Sequence, residues 1–391
     1  MKALFAHGLK FFEDNNGKLY LRGYDKNYWE RYLKHFDELY VIGRRLHIKE
    51  ESLGGFNEFK GNNLHFIEVP EIHSLLDYKR NIKDSNQIIK NLTEFVDFTI
   101  ARIPGTYSSN AIKYSKRYKK PYIVEMVGCP WDAFWNHSLK GKLIAPYITI
   151  NTKRIVKNAP YVIYVTNDFL QRRYPTKGKK TNCSNVTLPN IDEAVLKERL
   201  RKICDTKENQ KKIIGTTAAV DVRYKGQQYV IKALGELKRQ GITNFEYQLV
   251  GGGDQAFLKS IAIQYNVLDQ IKFKGPMLHK EVFEWLDKID LYIQPSRQEG
   301  LPRALIEAMS RGLPALGAKT AGIPELLEKN YLFSNTNRNI REICTILTTF
   351  SNEKMKVQAK RNFIKSKEYD NHIINKRREQ FFKKIVLNTI I

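Results

Sequence analysis

Residues Gln294 to Gly317 read QPSRQEGLPRALIEAMSRGLPALG. A short apolar strand, DLYIQPS, leads in, and a Gly-Leu-Pro turn passes the chain into a helix, LPRALIEAMSRG. A second strand, LPALGAKTAG, follows at once. Pro302 suits the first helical turn, because its missing N–H would go unpaired there anyway. Leu305, Ala308 and Met309 share one face and form the core side of the helix. Arg303 and Glu307 fall on the opposite face, where the plainest expectation is an exposed i,i+4 ion pair. Glu299 stands ahead of the helix, eight positions before Glu307 (307 − 299 = 8). A strand that runs through a glycine turn into a helix is the repeating unit of a doubly wound parallel sheet.

The same grammar extends on both sides. KKIIGTTAAV, FEYQLVGGGD and QIKFKGPM read as strands, and QQYVIKALGELKRQG, QAFLKSIAIQYN and HKEVFEWLDKI as helices. Earlier, KALFAHG, ELYVIGRR, LHFIEVP, FTIARIP, PYIVEMVG and YVIYVT read as strands, with helices at WERYLKHFDEL and SNAIKYSKRY. The length of 391 residues suits two domains. The prediction is an α/β fold of two Rossmann-like, doubly wound parallel-sheet domains facing a cleft. Residues 1–190 form the first and 191–370 the second, joined through NVTLPNIDEA. A basic helix over 371–391 packs back on the first domain.

The formal charge is +25. It implies an anionic partner: nucleic acid, an acidic membrane face or a phosphorylated substrate. Basic clusters stand at KYSKRYKK, QRRYPTKGKK and NKRREQFFKK. They hold scattered aromatics but do not form an RNA-binding signature, which argues against nucleic acid. Cys129, Cys183, Cys204 and Cys344 have neither metal-ligand nor redox spacing, which fits a reducing cytoplasm. The N-terminus does not read as a signal peptide, and no run of about 18 apolar residues predicts a membrane span.

Ligands of such sheets sit at the carboxyl ends of the strands. The helix of the opening stretch begins there, and its tip offers unpaired N–H groups and a positive dipole end to a diphosphate. Gly300 lets the backbone approach closely. Glu307, farther along the axis, is placed to hold a ribose cis-diol, and Glu299 to face a transferred group. Arg223 and Lys225, in a turn after the strand KKIIGTT, supply cations to a departing diphosphate. The turn GGGD, which includes Gly252, brings a third backbone to the same edge.

Glu299 and Glu307 with the intervening GLPRALI resemble the Glu-x7-Glu motif of glycosyltransferase family 4, also called group 1, which has the two-Rossmann GT-B fold. YKG at Tyr224–Gly226, YQLVGGGD, FKGPM and RGLPALGAKTAGIPEL extend the resemblance. It implies that Glu307 binds the nucleotide ribose and Glu299 the donor sugar. The amides of Gly300 and Leu301 would meet the diphosphate, and Lys225 the phosphates. Gly275, Pro276, Met277 and Leu278 would line the base. It further implies retention of configuration, no metal and no cofactor beyond the nucleotide-sugar donor. The acceptor would be a glycan or a lipid-diphosphate-linked glycan in cell-surface polysaccharide synthesis, with the protein peripheral on the anionic inner membrane face.

The chain departs from the family pattern in places. Val220 stands where the usual phosphate arginine lies, leaving Arg223 as its substitute. Gly128 replaces a first-domain histidine, with Asp132 or His137 as stand-ins. Arg102, in FTIARIPG, resembles an acceptor-segment residue, and the turn at Gly17 replaces the usual paired glycines. Other readings of the two carboxylates and the charge are a glycoside hydrolase, a nucleic-acid-binding or nucleic-acid-glycosylating protein, and a sugar phosphorylase or epimerase on the same fold.

Overall fold

A computed structural model describes residues 1–48, 55–71, 75–136, 138–207, 210–336 and 338–390. Its strands are β1 (Lys2–Glu13), β2 (Leu19–Arg22), β3 (Glu38–His47), β4 (Phe56–Glu58), β5 (Leu64–Glu68), β6 (Phe98–Ile103), β7 (Tyr122–Met126), β8 (Tyr161–Tyr164) and β9 (Lys179–Asn182). They are followed by β10 (Lys212–Thr217), β11 (Phe245–Val250), β12 (Ile271–Gly275), β13 (Leu291–Gln294), β14 (Ala315–Ala318) and β15 (Leu332–Phe333).

In the first sheet the parallel order is β5-β3-β1-β6-β7-β8-β9. Every residue of β6 and β7 is buried. This explains their near-continuous apolar runs, since central parallel strands are covered on both faces. The strand predicted over KALFAHG does not stop at its glycine. β1 continues to Glu13 and adds an antiparallel ribbon with β2 and β4. The register against β3 shifts between Phe5 and Leu9, and beyond the shift Phe11 packs 4.9 Å from the Phe59 ring and 4.3 Å from Phe66.

The second sheet is parallel throughout, in the order β12-β11-β10-β13-β14-β15. The winding reverses between β10 and β13, so the loops after those two strands flank a crevice at the carboxyl edge. Two helices of the first half, Leu75–Phe95 and Leu139–Lys157, were not expected from the sequence.

The chain passes between the two halves twice. It leaves the first along Cys183 to Asp192 and returns after the helix Asn352–Ser366. The crossings are tied together: Leu188 N–H donates to Asn371 Oδ1 at 3.1 Å, and Asn371 Nδ2 donates to Leu188 O at 2.6 Å. The terminal helix, Asn371–Ile390, then packs on the first sheet's side. Phe382 stacks on His35 at 5.3 Å and meets Tyr32 edge-on, while Arg378 donates to Ser184 O at 2.8 Å.

Candidate active site

Lys225 ends a short turn, Arg223–Lys225, after β10. Gly226 follows at φ +81°, and a Cβ there would lie 2.0 Å from Pro295 O. Only glycine fits a left-handed position so close to a backbone carbonyl. That approach sets the turn against the loop after β13. Lys225 Nζ consequently donates to Glu299 Oε1 at 2.8 Å. Burial opposes the ammonium charge, but the Glu299 carboxylate outweighs it and holds the Lys225 pKa above its ordinary value. Gln294 Nε2 donates to the same Oε1 at 3.2 Å and to Ser296 Oγ at 2.8 Å, and Tyr292 OH donates to Gln294 Oε1 at 3.0 Å. Glu299 is thereby oriented from the strand beneath it.

The helix Arg303–Ser310 begins beyond, with Pro302 at its N-cap (φ −71°, ψ 111°) rather than in its first turn. Among the described residues, no hydrogen bond engages the N–H groups of Gly300 and Leu301. Gly300 also meets the first domain, because a Cβ there would lie 2.2 Å from Val127 O.

Glu307 is buried, which corrects the expected exposed pair with Arg303. Its Oε1 lies 3.4 Å from His279 Nε2. That contact raises the His279 pKa above its ordinary 6.5. Arg303 is exposed and reaches toward Gly23, its Nη2 lying 3.6 Å from where a Gly23 Cβ would sit. Nearby, Arg22 comes within 3.7 Å of the Cβ position of Gly252. The end of β2 therefore covers the second domain's crevice. Gly251 N–H donates to Gly275 O at 2.9 Å, tying together the loops after β11 and β12. Beyond Gly275 and Pro276, Met277 packs partly on the core. Leu278 is exposed, and its N–H donates to Glu281 Oε2 at 2.7 Å.

The remaining sequence candidates stand apart from this cluster. Arg223 is exposed, and its guanidinium lies over the Phe257 ring at 4.3 Å rather than over the Lys225–Glu299 pair. Gly17 closes the β1–β2 hairpin at φ +75°, with nothing within 4 Å of its Cβ position. The opposite end of β2 makes the approach to the second domain. Asp132 lies in a pocket of about 270 Å³ between the domains, lined also by Arg173, Arg297 and Lys319. Burial raises its pKa despite Arg173 at 3.8 Å. His137 lies outside the described residues.

Arg102 is corrected from a cleft-facing cation to an internal strut. It is buried, with Nε 3.5 Å from Glu125 Oε2 and Nη1 donating to Tyr24 OH at 3.2 Å and to Tyr28 OH. Tyr32 OH completes the cluster by donating to Glu125 Oε1 at 2.8 Å. His7 sits beside it, where burial and the guanidinium push the imidazole down to about 3.

The sequence did not single out His279 or Arg297, and it offered Arg303 only as a surface partner of Glu307. Arg297 and Arg303 lie inside the opening stretch, where a diphosphate between two carboxylates calls for cations. Arg297 Nη1 donates to Tyr229 OH at 2.7 Å, and Asn136 Nδ2 of the first domain donates to Arg297 O at 2.9 Å. Among the described residues, no three His, Cys, Asp or Glu side chains gather as metal ligands.

Comparison with known proteins bears on the family and the fold. The family described as "Glycosyl transferases group 1" matches residues 197–379. Protein CapJ of Staphylococcus aureus is 32% identical over 340 residues, covering 85% of this chain and 82% of CapJ. Amylovoran biosynthesis glycosyltransferase AmsK of Erwinia amylovora is 39% identical over 113 residues, 27% of this chain and 28% of AmsK. Among solved structures, Anabaena HepE in complex with UDP-glucose superposes with a TM-score of 0.62 at 16% identity, covering 98% of this chain and all of HepE (100%). The fold is GT-B, and the chain belongs to the group 1 glycosyl transferases.

Proposed function

We propose that the protein is a retaining, metal-independent glycosyltransferase. It moves a sugar from a nucleotide-diphosphate sugar to a hydroxyl of a glycan or lipid-linked acceptor, in the synthesis of a cell-surface polysaccharide. The observation that carries this reading is the meeting of Lys225 and Glu299. They come from loops after two different strands and join at the switch point of the second sheet. Beside them lie the unengaged amides of Gly300 and Leu301 and the buried carboxylate of Glu307.

In the reaction, the bond from the anomeric carbon to the diphosphate oxygen breaks. A bond from the acceptor oxygen forms on the same face, and the acceptor proton passes to the leaving phosphate. Lys225, with Arg303 beside it, offsets the charge gathering on that phosphate, and the helix-tip amides hold its oxygens. Glu299 orients the sugar hydroxyls, and Glu307 takes the ribose diol. Arg223 and Asp132 stay in reserve at the margins, the second facing the acceptor side. The AmsK name and the UDP-glucose held by HepE support the polysaccharide product and the donor class. The net charge of +25 supports a peripheral place at the anionic cytoplasmic face of a membrane. Among the described residues, no helix is long and apolar enough to cross it.

The test is a thermal-shift screen of nucleotide sugars, followed by turnover of the hit with and without EDTA and NMR assignment of the product anomer. An inverted anomer would remove the retaining mechanism. Loss of turnover in EDTA, restored by metal, would remove metal independence. Full turnover by both Lys225→Ala and Glu299→Ala would remove the site.

A further inference from the structure

The helix Leu139–Lys157 of the first domain has two apolar faces. Gly141, Ala145, Thr149, Thr152 and Val156 are buried against the domain. On the opposite side Leu139, Leu143, Tyr147 and Ile150 follow one another at helical spacing. They are 80%, 83%, 71% and 51% exposed. Large side chains left uncovered in a row on one helix mark a surface that meets something apolar.

The charges around the row say what it meets. Exposed Lys140 borders it on one side, and Lys142 and Lys153 border it on the other. Arg154 and Lys157 continue it at the far end. Lys177 N–H donates to Lys157 O at 3.1 Å, which brings the exposed Lys177, Lys179 and Lys180 to the same end. No aspartate or glutamate occurs between Asp132 and Asp168. An apolar row ringed by cations alone suits acyl chains beneath anionic headgroups, with the lysines extending to the headgroup level. A second copy of this face would set like charges opposite one another, which disfavours self-association.

We propose that the exposed face of the helix Leu139–Lys157 seats the protein on an anionic lipid bilayer. The helix lies in the interface plane and does not cross it. This deepens the membrane-facing part of the reading above and names its surface. Orientation follows from it. Leu139 and Lys142, at the start of the helix, help line a groove of about 260 Å³ with Trp135, Asn136, Ser138 and Arg297. Arg297 lies two positions before Glu299 (299 − 297 = 2). A bilayer-seated helix therefore opens a groove at the lipid surface that is bounded by Arg297, in the same loop as Glu299. An acceptor anchored in the lipid enters there without leaving the membrane.

The experiment is co-sedimentation of the full chain with vesicles of phosphatidylcholine alone and of phosphatidylcholine mixed with phosphatidylglycerol. No donor or acceptor is added, so failure here leaves the sugar-transfer reading untouched. The protein is expected on anionic vesicles, with binding that weakens as salt rises. Leu143→Asp combined with Tyr147→Asp should lower partitioning about tenfold or more. Lys140→Gln with Lys153→Gln and Lys157→Gln should lower it several-fold while leaving donor hydrolysis unchanged. All five side chains are exposed, so Tm should stay within a degree or two of wild type. Absent or charge-independent vesicle binding overturns the proposal. So does undiminished binding of the Leu143→Asp, Tyr147→Asp variant, or a dimer in sedimentation velocity that the same variant dissolves.

Discussion

Lys225 Nζ and Glu299 Oε1 are 2.8 Å apart, although the two residues are separated by more than seventy positions of chain (299 − 225 = 74). Their side chains are 24% and 12% exposed. The pairing keeps two largely buried charges satisfied by one another. Lys225→Ala is expected to lower kcat/KM by about 10²–10³, the scale for removing one charge-stabilising donor. Glu299→Ala should fall comparably. The double variant should lose far less than the sum, because the residues act as a unit. Steady-state kinetics on all three variants measures this, and full additivity would refute the coupling.

Glu307 is expected to govern donor affinity more than turnover. Glu307→Ala should weaken UDP binding by about 10- to 100-fold, the worth of one or two hydrogen bonds to a charged group. Isothermal titration checks it, and an unchanged Kd would exclude Glu307 from the nucleotide site.

His279 makes that affinity pH-dependent. Its pKa is raised by the hydrogen bond to Glu307, so its contribution to folding is complete below the unfolded value of 6.5. It is lost as pH rises through the higher folded value. A ribose that takes Glu307 displaces the imidazolium and releases its proton. UDP affinity is therefore expected to rise with pH across the same window, and His279→Gln should flatten the profile. Affinity that falls with rising pH would instead make the imidazolium a phosphate ligand.

Arg102 is expected to be a stability residue. With the side chains of Arg102 and Glu125 8% and 5% exposed, Arg102→Met strands a buried carboxylate. Urea denaturation should show a loss of about 3–5 kcal/mol. The KM for acceptor should not change in the folded fraction. A raised KM with unaltered stability would return Arg102 to the acceptor site.

Gly300→Ala is expected to hold the domains apart. Its Cβ would meet Val127 O at 2.2 Å, so the interface must open to accept it. A shift of about 1 Å at the reacting groups can cost about 100-fold in kcat. Small-angle scattering should show a larger radius of gyration in the variant, with Tm little altered. A wild-type radius and rate would place the contact outside the catalytic arrangement.

The second domain was legible because its signals are local. A strand, a glycine turn and a helix tip occupy a few consecutive residues, and their alternation implies a parallel sheet. The burial of Glu307 was not legible. The helical wheel put it opposite the core, but His279 and the first domain's Gly23 loop arrive from elsewhere and close over that face. Arg102 failed for the same reason: its partners Tyr24, Tyr28 and Glu125 are distant in sequence, and only tertiary packing makes them a cage. The helix Leu139–Lys157 hid because apolar residues on both its faces blur the 3.6-residue period, and Pro146 interrupts it. The extension of β1 hid behind Gly8, which reads as a stop in sequence.

The reciprocal bonds between Leu188 and Asn371 have a mechanical meaning. A single tether would leave one lobe free to swivel as well as bend. Two crossings pinned side by side remove the swivel and leave essentially one axis of rotation. The same pin holds the arrangement in which Arg22 lies over the Gly252 turn and Val127 against Gly300. Leu188 is buried at this pin, so the restraint is built into the packing between the halves and acts together with the close approach of Val127 and Gly300.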